Sequence, residues 1–270
     1  MGWQTLVSMV LSRCFLRGFS SFHMFAFTDI QTLAIVGLAF ALGGILKGAT
    51  GVGAPLVAVP LMTSFFDVRF AVAVFVLPNL ITNLLQGLTY YYALKNGRFL
   101  LTLCLSAGTG AFVGSLILLQ TSSGILEKIM ASLVLFYVGF RVFKPGWKLS
   151  IATAFKLSAP IGFLAGFLQG TFGISSPATF AFLNAIKFER PEFIVIVSMF
   201  FVAMSIIQLP TLIYFDLMHA EHFYLGMLAI IPLIGGMPLG AMLLRNVSAI
   251  LFDKIILLVL VGIAIKLLLV

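Results

Sequence analysis

Charge is what this sequence has least of. Lys, Arg, Asp and Glu make up 9% of its 270 residues, where soluble domains carry about 25%. So few charges cannot cover a soluble surface. They cannot build a basic nucleic-acid-binding face either, although the formal net charge is +8. Cysteine is nearly absent, and Cys14 and Cys104 form neither a disulfide framework nor a metal-ligand spacing. No acidic residue lies in the middle of a long apolar run. Asp29, Asp67, Glu127, Glu189, Glu192, Asp216, Glu221 and Asp253 all sit at or near the end of one. That pattern argues against a carboxylate proton relay or a carboxylate sodium site. No Walker motif is present, so the chain has no ATPase of its own, and no cofactor is called for.

What fills the sequence is apolar, at 61%. Hydrophobic stretches run at 30–47, 55–66, 70–94, 98–120, 124–144, 150–168, 176–187, 191–215, 221–245 and 249–270. They are continuous, whereas transmembrane β-strands alternate in segments of about 10 residues. The fold class is therefore an all-α polytopic membrane protein with the lipid bilayer as its surroundings. A crossing helix needs about 20 residues. The stretches 55–66 and 176–187 are too short to span alone.

Each short stretch follows a Gly-rich segment, and the two segments match. Gly44, Gly48, Gly51 and Pro55 meet Gly166, Gly170, Gly173 and Pro177 at a constant offset of 122 residues. The same offset pairs Lys47 with Gln169, Asn83 with Ser205 and Gln86 with Gln208; an offset of 126 pairs Gly110, Gly114 and Lys128 with Gly236, Gly240 and Lys254. The chain thus reads as a leader (1–28), a first transmembrane repeat (29–146) and a second (147–270), together one membrane domain. Five stretches per repeat is odd, so the second copy should be inverted. Charge agrees. With loops 94–98, 144–150, 187–191 and 245–249 on one side, that side carries ten Lys and Arg against five on the other, which marks it as cytoplasmic. The loop holding Lys95 and Arg98 corresponds to one holding Asp216, His219 and Glu221. In the leader, Arg13 and Arg17 interrupt the apolar run, so it is read as an interfacial helix or as sequence upstream of a start at Met24.

Paired discontinuous helices in an inverted repeat point to a transporter's substrate site. Pro55 and Pro177 suit the first turn of a short helix. The N–H groups of Gly53, Ala54, Ser175 and Ser176 are then expected to be unpaired and partly positive, a setting for an anion. The competing reading of Gly48, Gly51, Gly170 and Gly173 is close helix packing. Lys47 stands beside the first break with no carboxylate near it in sequence, which suggests an anionic substrate. Its alternative is a snorkelling lysine. Asn79, Thr82, Asn83 and Gln86 share a helical face, with Ser198, Ser205 and Gln208 as sparser equivalents. They serve either the substrate or helix packing. Gly173-Ile-Ser175 is too common a pattern, and His219 and His222 too far from it, to support an intramembrane hydrolase.

These features together resemble the TauE/SafE sulfite exporters, also called 4-toluene sulfonate uptake permeases. The best marker is Gly48-Ala-Thr-Gly51-Val-Gly53-Ala-Pro55-Leu-Val-Ala-Val-Pro60-Leu61. Ala54 and Pro55 stand where more glycine is common in the family, and the second half has Ser175 and Ser176. The resemblance covers about residues 29–270. It implies transport of sulfite, a sulfonate or a related small anion across the bacterial inner membrane. The residues expected to hold the anion are Lys47, Gly48, Gly51, Gly53, Ala54, Pro55, Asn79, Asn83, Gln86, Gln169, Gly170, Gly173, Ser175, Ser176, Pro177 and Gln208. A coupling ion, proton or sodium, is left open by the sequence, as are a passive anion channel and an intramembrane scaffold.

Overall fold

The computed structural model describes residues 30–51, 53–143, 148–246 and 249–269; the leader, 1–28, lies outside the described residues. All ten expected segments are α-helices, and no strand occurs among the described residues. The first half holds α1 (Ile30–Thr50), α2 (Ala54–Thr63), α3 (Val68–Thr89), α4 (Gly97–Gln120) and α5 (Ser123–Phe143). The second holds α6 (Ile151–Phe172), α7 (Ser176–Ile186), α8 (Arg190–Tyr214), α9 (Ala220–Asn246) and α10 (Ala249–Leu269). Six of these, α1, α3, α4, α6, α8 and α9, are long and apolar enough to cross a membrane. Helices α5 and α10 have 21 residues each, about 31 Å at helical rise. Side-chain caps start two of these helices: Asp67 Oδ1 accepts from Phe70 N–H at 2.6 Å, and Ser150 Oγ from Thr153 N–H at 3.2 Å, among the described residues. Phe136, Ile231 and Leu258 are among the large apolar side chains that face outward, where lipid would meet them.

The short helices have 10 and 11 residues, about 15–17 Å, and each folds back on the helix before it. Gly43 of α1 faces Ala54 and Ala58 of α2, and Gly53 faces Leu46, so α2 returns along α1. In the second half the Leu149 N–H donates to the Ala185 carbonyl at 2.8 Å. That bond holds the end of α7 beside the start of α6. Both pairs are helical hairpins.

The turns lie later in the chain than the sequence suggested. The apolar stretches 30–47 and 150–168 continue as helix to Thr50 and Phe172. Gly51 and Gly173 end them, with φ of +87° and +67°, the left-handed region that glycine enters without a Cβ penalty. Their N–H groups donate to the Lys47 and Gln169 carbonyls at 2.7 and 2.8 Å. Pro55 and Pro177 then open the first turns of α2 and α7.

The remaining matched glycines are inside helices, and their work is packing. A Cβ on Gly44 or Gly48 would run into the Leu233 or Met237 carbonyl of α9, and one on Gly236 or Gly240 into the Ala41 or Ile45 carbonyl of α1. The second half repeats this. Gly166 and Gly170 abut the Ala107 and Ala111 carbonyls of α4, while Gly110 and Gly114 abut the Phe163 and Phe167 carbonyls of α6. Lipid tails are as apolar as side chains, so helices in a bilayer gain by close approach rather than by leaving water. Thr171 Oγ1 adds a polar tie to the Gly114 carbonyl at 3.1 Å. The first helix of each half is thus seated on the fourth helix of the other.

The loops gather in two groups. Arg69 donates to the Leu118, Leu119 and Thr121 carbonyls at 2.9–3.3 Å, Phe70 meets the His222 ring edge-on, and Lys266 Nζ lies 3.5 Å from the Phe65 ring centre. A cleft lined by Asp67, Arg69, Asp216 and His219 opens at that end. The other group joins Lys95 to Glu189 (2.9 Å) and Asn96 to Glu192 (2.8 Å), with Leu149 bonded to Ala185.

Candidate functional site

Lys47 lies in the last turn of α1 and is 2% exposed, which removes the snorkelling alternative. Its ammonium donates to Asn83 Oδ1 at 2.8 Å and Thr82 Oγ1 at 3.1 Å, both on α3. Neither partner is charged. The Lys95–Glu189 ion pair and the Asp216–His219 contact are at the protein's ends. No carboxylate among the described residues pairs with Lys47.

The partners of Lys47 are themselves held. Thr82 Oγ1 donates to the Pro78 carbonyl at 2.7 Å. Asn83 Nδ2 donates to Asn79 at 2.8 Å (backbone O) and 2.7 Å (Oδ1), and Asn79 Nδ2 donates to Ser205 Oγ of α8 at 3.1 Å. The face read from the spacing of Asn79, Thr82 and Asn83 is therefore the face turned to Lys47. Gln86, a turn further on, is half-buried and accepts from Ser198 Oγ at 3.3 Å; it is tied to α8 and not to the lysine.

Ser205 sits on α8, the helix that also reaches the second break. Gln208, one turn along α8, donates from Nε2 to the Gln169 carbonyl at 3.1 Å. The Gln169 side chain turns back to its own break, where Oε1 accepts the Ser175 N–H at 3.2 Å. Gly51 in turn faces Ile194 of α8, and Gly173 faces Val72 of α3 and Val59 of α2. These are matching contacts, since Val72 and Ile194 are also 122 residues apart.

Two expectations about the breaks need correction. The N–H groups of Gly53 and Ser175 are not free, because Thr50 Oγ1 (3.2 Å) and Gln169 Oε1 (3.2 Å) accept them. A short side chain next to a helix start competes for its orphan donors. Gly48 and Gly170 do not line an open surface either: their Cα faces are covered by α9 and α4. Ala54 and Pro55 are buried in the first turn of α2. Ser176 and Pro177 begin α7, and their side chains lie outside the described residues.

Gln169 Nε2, Ser175 Oγ, Thr179 Oγ1 and Gln208 Oε1 are buried with no hydrogen-bond partner among the described residues. Most buried polar atoms find one, so these four call for a cause. Thr179 had no place in the sequence reading. The signal was there, because a threonine four residues after Ser175 shares its helical face.

These side chains comprise Lys47 and several buried hydrogen-bonding groups. A family model described as sulfite exporter TauE/SafE matches residues 35–267. No match was found among curated proteins or among solved structures. A match over nearly the whole chain, on an all-helical protein with six crossing-length apolar helices, identifies a multi-pass membrane protein of a transporter family. The chain belongs to the TauE/SafE family of sulfite exporters.

Proposed function

We propose that the protein is a secondary transporter that carries sulfite, or a closely related sulfur oxyanion or sulfonate, across the bacterial inner membrane. The anion binds between the two breaks and is exposed to each side in turn. One observation carries this reading: Lys47 is buried among neutral groups, with no carboxylate beside it among the described residues. A lone buried charge costs several kcal/mol unless a counter-charge arrives, and an anionic substrate is that counter-charge. The unpaired polar atoms of the second break, near Gln208 on the same helix as the Asn79 partner Ser205, supply hydrogen bonds to its oxygens.

Alternating access is supported by the burial of Lys47, Gln169, Ser175 and Gln208, which is what an occluded carrier needs and an open pore does not. Inverted halves are supported by the crossed packing of α1 on α9 and α4 on α6, and by equivalent loops, 94–98 and 216–220, belonging to different ends. The end with Lys95 is the cytoplasmic one by its charge. The test is flux into proteoliposomes. Saturable sulfite uptake with counter-flow is expected. Flux that rises linearly without counter-flow would make the protein a channel, and no flux of any anion would leave a scaffold.

A further inference from the structure

We infer that the second break selects a singly protonated anion, and that Gln208 Oε1 is the atom that makes the choice. The favoured ligand is then hydrogensulfite in its hydroxyl form, over the sulfite dianion and over alkyl sulfonates. This rests on the transport reading above and adds the protonation state of what is carried.

Ser175, Gln169 and Gln208 are each 0–1% exposed and bonded in series. Their partners fix which way each amide points. Gln169 must present Oε1 to the Ser175 N–H, which leaves its Nε2 as a free donor. Gln208 must present Nε2 to the Gln169 carbonyl, with the Gly170 carbonyl at 3.5 Å, which leaves its Oε1 as a free acceptor. The ligand therefore meets a free amide donor, the Ser175 hydroxyl and a carbonyl oxygen that cannot donate. Deprotonated oxygens suit the amide and the hydroxyl. Set against Gln208 Oε1 they would bring lone pairs together, so that position requires an O–H. Charge leads the same way. Lys47 is the buried cation of the first break, and a monoanion balances it where a dianion leaves an excess. A bare cation at Gln208 is opposed by Gln169 Nε2 and by the partly positive start of α7.

The experiment is calorimetric titration of the purified full chain with sulfite and with methanesulfonate, on the acid and alkaline sides of neutrality. Methanesulfonate carries the same single charge and the same three sulfur-bound oxygens as hydrogensulfite, with a methyl on sulfur and no hydroxyl. A site built to bond a hydroxyl rejects the analogue that lacks it. Methanesulfonate should bind about 10- to 100-fold more weakly than sulfite on the acid side. Sulfite affinity should fall with rising pH as its protonated fraction falls, while methanesulfonate stays flat. Titration of Lys47 would weaken both alike, so the contrast isolates the ligand's own proton. Gln208→Leu should narrow the gap between the two anions; should that variant not insert, the parent comparison decides alone. Equal binding with equal pH profiles, or sulfite affinity set by sodium instead of protons, overturns the inference and leaves the transport reading standing. Neither anion binding at either pH overturns both.

Discussion

The two breaks share a template and are finished differently. At the first, Lys47, Thr50, Asn79, Thr82 and Asn83 all have partners, and what is left over is charge. At the second, Gln169 replaces the lysine, no charge is left over, and four polar atoms lack partners among the described residues. In the proposed transport reading the first break supplies the counter-charge, and the second supplies hydrogen bonds still to be made. The glycines that seat α1 on α9 and α6 on α4 are the same in both halves, so the difference lies in side chains and not in backbone architecture.

The comparison presumes that the halves are inverted, and sidedness labelling gives an all-or-none answer. Gly97 and His219 are exposed, and a side chain at Gly97 has open space. With Cys14 and Cys104 replaced, Gly97→Cys should react with an impermeant thiol reagent only from the cytoplasmic side, and His219→Cys only from outside. If both reacted from one face, the inverted model would fail.

The next largest effect belongs to Lys47. Replacing it by Gln, the residue at the matching place in the second half, should weaken anion binding on the order of 10- to 150-fold, the worth of a charge-assisted contact of about 1.5–3 kcal/mol. Lys47→Arg should cost less, keeping charge but losing the compact ammonium. Unchanged sulfite affinity in Lys47→Gln, measured by calorimetry, would place the anion on neutral donors alone.

Ser175→Ala and Thr82→Val separate the two kinds of polar group. The Thr82 hydroxyl is bonded on both sides, so Thr82→Val should destabilise the protein by about 1 kcal/mol. The Ser175 hydroxyl has no partner among the described residues, so its removal should leave thermal stability unchanged or slightly raised. Its cost should appear in sulfite affinity, at roughly 5- to 10-fold. Melting curves and titrations of the same two samples decide. A large loss of stability in Ser175→Ala would mean that the hydroxyl serves the fold and not a ligand.

Much of this was legible in the sequence, for reasons that also show where legibility stops. Ten apolar stretches became ten helices because length and apolarity are local properties. Lys47 stood out because a charge in an apolar run has few explanations. Which glycine ends a helix was not legible. Gly48 and Gly51 look alike in sequence, and only the backbone of α9 lying against Gly48 shows that it packs while Gly51 turns. Gln169 as the acceptor for Ser175 N–H, and the Asn79–Ser205 bond between halves, depend on orientations that no spacing rule carries.

The smallest expected effect is at the end where the halves are tied by Lys95 and Glu189. Their side chains are 62% and 73% exposed, and exposed ion pairs add little to stability. Lys95→Gln should therefore leave the melting temperature within error at neutral pH, and its transport unchanged. The hydrogen bond and charge of Glu189 raise the Lys95 pKa above the ordinary lysine value. With the sign worked through, whatever the pair contributes is complete below the ordinary lysine pKa and is lost as pH climbs through the raised one. Parent and Lys95→Gln should thus melt together at neutral pH, and any small gap should close in strong alkali. A drop of several degrees in Lys95→Gln at neutral pH would show that this contact joins the halves. The glycine seams between α1 and α9 and between α4 and α6 would then not be sufficient to hold the two breaks in register.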